Sequence, residues 1–149
     1  MGVPVIVTPR SLDFGVVAPN SIGPAAVVQR EFEVPGAPNF DGGLIVENAP
    51  TDADVSALLF GGTKNLFEIT TLNVYERRAV PEPPATVLDL VVSSDGSSPV
   101  SVKAGQLVYV GVVYHAPDQG FDFGTVLYLR GSSWNVTPVR LSFQLPPLV

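Results

Sequence analysis

Leu107-Val108-Tyr109-Val110-Gly111-Val112-Val113-Tyr114-His115 is a strand-length run that is apolar on both faces. In an extended chain Val108, Val110, Val112 and Tyr114 fall on one side, and Leu107, Tyr109 and Val113 on the other. Such a run needs cover above and below, which predicts a central strand of a sheet. Ala116-Pro117-Asp118-Gln119-Gly120 ends it, because proline supplies no N–H to a ladder.

Downstream, Thr125, Leu127 and Leu129 interleave with Val126, Tyr128 and Arg130, and Val139, Leu141, Phe143 and Leu145 alternate with Arg140, Ser142 and Gln144. Gly131-Ser132-Ser133 offers a turn between them, so the pair reads as a hairpin. Upstream, Val3, Val5 and Val7 alternate with Pro4, Ile6 and Thr8, and the proline suits an edge strand or a strand start. Ala26, Val28, Phe32 and Val34 share a face against Gln29, Glu31 and Glu33, with Arg30 out of pattern. The same counting predicts strands over 43–47, 66–76 and 85–92. Thr51 to Leu59 reads instead as a two-turn helix, with Thr51 as N-cap, Asp54 completing a weakened capping box and Gly61-Gly62 as the stop. The fold expected is an all-β, immunoglobulin-like β-sandwich of about eight or nine strands with that one short helix near 51–59.

Composition bounds the rest. A chain of 149 residues suits one domain, here 1–149, with a sizeable core, and 46% apolar against 15% charged residues favours a folded chain. The 15 prolines and 14 glycines gather in connections, notably 34–43 and Pro81-Glu82-Pro83-Pro84, which should be extended and stiff. Net charge is -6 with a pI near 4.5, and Arg77-Arg78 is the only adjacent basic pair, which argues against nucleic acid as a partner. Without cysteine there is neither a disulfide framework nor a thiolate ligand or nucleophile. No apolar run approaches the roughly 18 residues of a spanning helix, so membrane insertion is not expected. Met1-Gly2-Val3-Pro4 does not read as the start of a signal peptide. An extracellular or surface location is expected if the chain is excised from a larger one, and a cytoplasmic or virion location otherwise.

Pro9 and Ser11-Leu12-Asp13-Phe14-Gly15-Val16-Val17 resemble the opening of the ASH-type immunoglobulin-like domains, named for the abnormal-spindle and Hydin proteins and related in fold to major sperm protein and PapD-like sandwiches. Val100, Val102, Gly105, the run to Tyr114, then Pro117, Gly120, Gly124 and Leu127 to Arg130 are similar to the closing half of that family. The resemblance covers about half the chain and implies a sandwich fold, with bacterial versions in surface proteins. It brings no shared catalytic residues. The chain departs from the family at Pro35-Gly36-Ala37-Pro38-Asn39, where a turn of another type is usual, and is longer than a minimal domain between 36 and 98.

Three chemistries compete with plainer roles for these residues. His115 is the sole histidine, hence the only proton shuttle for a triad, but its place at a strand end explains it without catalysis. Asp41, Asp52, Asp54, Asp95, Asp118 and Asp122 sit in loop-like segments, yet none has the spacing that would give calcium its six or more oxygens; turns and caps account for them. Gly61-Gly62-Thr63-Lys64 lacks the upstream glycine of a phosphate loop. No catalytic, metal or cofactor residue is expected, and the chain is not expected to be an enzyme. Trp134 beside Asn135 is either a loop anchor for a partner or a ring folded back over the end of the sandwich; Phe40 and Tyr75 complete the candidate contact residues.

The function expected is a non-catalytic scaffold or adhesion module that binds protein through an edge strand or loops. A self-assembling decoration subunit of a phage particle or surface layer, and a carbohydrate-binding module, are the alternatives.

Overall fold

A computed structural model describes residues 3–8, 11–16, 22–23, 43–61, 64–81, 86–115, 125–136 and 138–144. The chain is an all-β sandwich. Its strands are β1 (Val3–Val5), β2 (Ser11–Val16), β3 (Ile22–Gly23), β4 (Gly43–Val46), β5 (Ala53–Gly61), β6 (Phe67–Ala79), β7 (Thr86–Ser94), β8 (Val100–Val102), β9 (Leu107–His115), β10 (Thr125–Gly131), β11 (Trp134–Val136) and β12 (Val139–Gln144), with one 3-10 turn at Lys64–Leu66. Twelve strands among the described residues exceed the eight or nine expected, because 51–59 reads as a helix and short pieces such as β3, β8 and β11 carry too few residues to show a period. The strand expected over 26–34 lies outside the described residues.

One sheet runs β2-β12-β10-β5-β8; the other runs β3-β9-β6-β7, with β4 alongside β3 on the same edge of β9. The doubly apolar run of β9 is central as expected, held between β6 on one side and β4 and β3 on the other. Thr125, Val126 and Leu127 pair with Leu141, Arg140 and Val139, so β10 and β12 are antiparallel neighbours. Between them β11 leaves the sheet to pair in parallel with β1, where Pro4 sits opposite Asn135. At the far edge β2 pairs with β12 in parallel, Ser11 to Arg140 and Leu12 to Leu141.

The helix expected over 51–59 is corrected to the strand β5. Its burial alternates with period two: Ala53, Val55 and Ala57 are buried, whereas Asp54, Leu58 and Phe60 are exposed. The local capping signal is real but weak, and pairing on both sides outweighs it, seven residues with β10 and three with β8. Thr51 caps no helix; its Oγ1 accepts a hydrogen bond from Trp134 Nε1 at 3.1 Å.

Leu12, Phe14, Val55, Leu127, Leu129 and Leu141 of one sheet face Leu44, Leu72, Val74, Val108, Val110 and Tyr114 of the other in one core. Phe14, Phe67 and Tyr114 form a tilted aromatic triangle with centroids 5.3, 5.4 and 5.8 Å apart, each pair contributing ~0.5–1.5 kcal/mol beyond burial. The outer face of β9 is covered too, since Leu107 and Tyr109 pack with Ile45, Tyr75 and Leu88 in a second, smaller cluster. That second layer is why the run is apolar on both faces.

Candidate functional site

A strand edge offers function only where its N–H and C=O groups are unpaired. Among the described residues two such edges stand out. On β7 the whole outer edge is open, with Leu90 55% and Val91 46% exposed. Its pairing with β6 is irregular, however: Val92 meets Val74 and Leu90 meets Tyr75, leaving Val91 as an extra residue. A bulge breaks the even spacing of backbone groups that an added strand must match, and it is a recognised protection of edges.

β5 is different. β8 pairs only with Ala53, Asp54 and Val55, so the stretch Ser56 to Gly61 is open on that side, and its register with β10 runs without a shift as far as Gly61. Leu58 is 44% and Phe60 68% exposed on the outer face beside this edge. Across the ladder Phe60 stands opposite Val126 and Leu58 opposite Tyr128. The Phe60 and Tyr128 rings meet edge to face at 6.3 Å. Arg140, opposite Val126, and Arg130, opposite Ser56, flank this apolar group on the same face. The result is a small aromatic and aliphatic island, bordered by cations, next to open backbone.

The residues singled out in the sequence are not gathered here. Trp134 is 9% exposed; its ring covers Gly131, and its indole N–H is satisfied by Thr51. It folds back over the end of the sandwich. Asn135 is exposed in β11, and Tyr75 is buried in the outer cluster of β9, its hydroxyl accepting from Asn73 Nδ2 at 3.1 Å. Phe40 lies outside the described residues. The helix read over 51–59 hides Leu58 and its neighbour Phe60 as cross-strand partners of β10; Leu58-Leu59-Phe60, apolar on successive residues, is the available signal.

The ionisable groups occupy other places. His115 Nε2 lies 2.9 Å from Glu68 Oε1, and both side chains are substantially exposed. Near them a shallow groove is lined by Glu68, Ile69, Thr70, Asp95, Gly96 and Ser97. Asp95 Oδ1 accepts from the Ser97 N–H at 2.9 Å. The Ser97 hydroxyl, then its backbone N–H, lowers the Asp95 pKa below the ordinary carboxylate value. Asp52 Oδ1 accepts from the Ala104 N–H at 2.8 Å. The Asp54 N–H donates to Ser132 Oγ at 3.0 Å. Arg78 pairs with Asp89 at 2.8 Å, and that hydrogen bond, with the charge behind it, raises the arginine pKa. Arg77 donates to the carbonyls of Gly105 and Glu47, both at 2.7 Å, tying the β6–β7 hairpin to the neighbouring loops. Among the described residues no three His, Asp or Glu side chains converge as a metal site would need. Among the described residues no helix is long and apolar enough to cross a membrane. No family model and no curated protein matches this chain.

Proposed function

We propose that this chain is a non-catalytic immunoglobulin-like module that binds a protein partner along β5. One observation carries the reading: the regular half of β5 from Ser56 to Gly61, paired with β10 on one side and open on the other among the described residues, carries the exposed Leu58 and Phe60. Unpaired backbone groups give an extended segment its main-chain hydrogen bonds, and alternate side chains supply selectivity. Phe, Tyr and Arg side chains on the adjacent face have the composition of a binding hot spot. The likeness of Ser11–Val17 to the opening of ASH-type domains, which brings no shared catalytic residues, is in keeping with a non-catalytic module.

The test is selection of a random peptide library on the full chain. Enriched sequences should bind the wild type and lose at least ~10-fold affinity on the Leu58→Ser, Phe60→Ser double variant. Enriched peptides that bind both proteins equally would reject β5 as the site. Sedimentation showing a dimer that Phe60→Glu disperses would make the partner a second copy, the assembly reading.

A further inference from the structure

Binding along β5 leaves the partner unnamed, and the inference here rests on that reading. Among the described residues the open half of β5 lacks cover on both faces. On the core face Val55 and Ala57 are buried, whereas Leu59, the next in line, is only half-buried although it packs against the core. β8 pairs with Val55 and stops there. On the outer face Leu58 and Phe60 are exposed. A strand that covers both faces must bring apolar side chains on successive residues, and Leu58-Leu59-Phe60 of β5 is itself such a segment.

The free backbone groups follow from one end of the strand. Asp54 donates its N–H to Ser132 Oγ, and its carbonyl accepts from the Ser132 N–H, so both groups face the β10 side. Successive residues of a strand alternate in this respect. Ser56, Leu58 and Phe60 therefore turn their backbone groups to β10, and Ala57, Leu59 and Gly61 turn theirs to the open edge. Two copies of β5 about a twofold axis at Leu59 run antiparallel and use all of these groups. Leu59 exchanges both hydrogen bonds with its counterpart, and Ala57 does so with Gly61 of the other copy. An axis at Leu58 would instead bring Gly61 against Val55, which β8 already holds, and an axis at Phe60 would leave Ala57 facing a residue beyond the end of β5.

We infer that the chain pairs with a second copy of itself through β5, making one continuous sheet across a twofold axis at Leu59. Leu58 of one copy then lies opposite Phe60 of the other on the outer face, and the two Leu59 side chains meet on the core face. Each copy covers what the other exposes. From Val55 to Gly61 β5 carries no charged residue, so self-pairing sets no like charges opposite each other on a chain of net charge -6. The same stretch has no proline, lysine or bulge to block an added strand, whereas Pro4 sits in β1 and the β7 edge is bulged at Val91. About five residues a side, against roughly 20–30 in a stable interface, make this a weak pair that forms as concentration rises.

The chain has no cysteine, so an introduced thiol reports only its own contacts. Leu58 and Phe60 of the two copies face each other as a non-hydrogen-bonded pair with Cα atoms about 4.5 Å apart, within disulfide reach. Two Leu58 residues, or two Phe60 residues, are offset by two positions and lie about 8 Å apart, beyond that reach. Sedimentation of the full chain from about 10 μM to about 1 mM should show monomer passing to dimer, and Phe60→Glu should weaken the dimer at least ~10-fold. Under mild oxidation Leu58→Cys mixed with Phe60→Cys should cross-link at least ~10-fold faster than either variant alone. Either variant alone linking at the mixed rate would overturn the register, and a dimer untouched by Phe60→Glu would overturn pairing through β5. A monomer throughout that still captures library peptides at Leu58 and Phe60 would overturn the second copy and leave protein binding along β5 standing. A monomer that captures none would overturn both.

Discussion

Gly43 and Gly131 each lie against an aromatic ring, and the two sites differ in what a methyl group would strike. A Cβ on Gly131 would sit 2.6 Å from Trp134 Cδ2, so the indole must slide and its bond to Thr51 is strained. A Cβ on Gly43 would collide with the Val110 carbonyl oxygen as well as with the Tyr109 ring, and a ladder carbonyl cannot move alone. Gly131→Ala should therefore cost ~1–3 kcal/mol in urea unfolding and Gly43→Ala more; the reverse order would contradict the packing. Asp95 gives a pH prediction. Its folded pKa is depressed, so its stabilising effect is in place above the ordinary carboxylate range and is lost as pH falls through the folded value. Carbon-13 titration should place its midpoint below the ordinary value, and Ser97→Ala should move it back upward. At this scale the sequence told little: Trp134 follows a turn signal at Gly131-Ser132-Ser133, and only the space above a residue without a side chain shows where the ring goes.

Among the elements, β9 was legible because both its faces are covered and its residues from Leu107 to Val112 are all buried. β5 was misread because Thr51, Asp54 and Gly61-Gly62 satisfy a helix's end signals, while its exposed Leu58 and Phe60 spoil the strand alternation. The residues that hid the strand are those now placed at the candidate site, since a surface that binds departs from the pattern that burial imposes. The two readings of 51–59 separate cleanly by substitution. Ala57→Asp puts a charge in the core and should cost ~3 kcal/mol or more, whereas Leu58→Asp should change stability by only ~0.5 kcal/mol. A large loss from the second would mean that Leu58 is not at the surface.

Over the whole molecule, alternation and turn residues were enough to indicate two stacked sheets, since burial of one face of each strand leaves few other arrangements. Strand order was not legible, because β2 meets β12 across most of the chain and β5 meets β10 across about half of it, and no local signal marks such pairs. That same wiring predicts slow folding, in milliseconds to seconds rather than microseconds, with Leu141→Ala destabilising by ~2–5 kcal/mol; stopped-flow refolding and equilibrium urea curves check both.

The parallel edge between β2 and β12 has a mechanical consequence. Because both strands point the same way, a pull on the chain before Ser11 and after Gln144 draws them past each other lengthwise. Their hydrogen bonds then share the load together and do not open singly like a zip, so a tether through this domain would resist stretching along its own length.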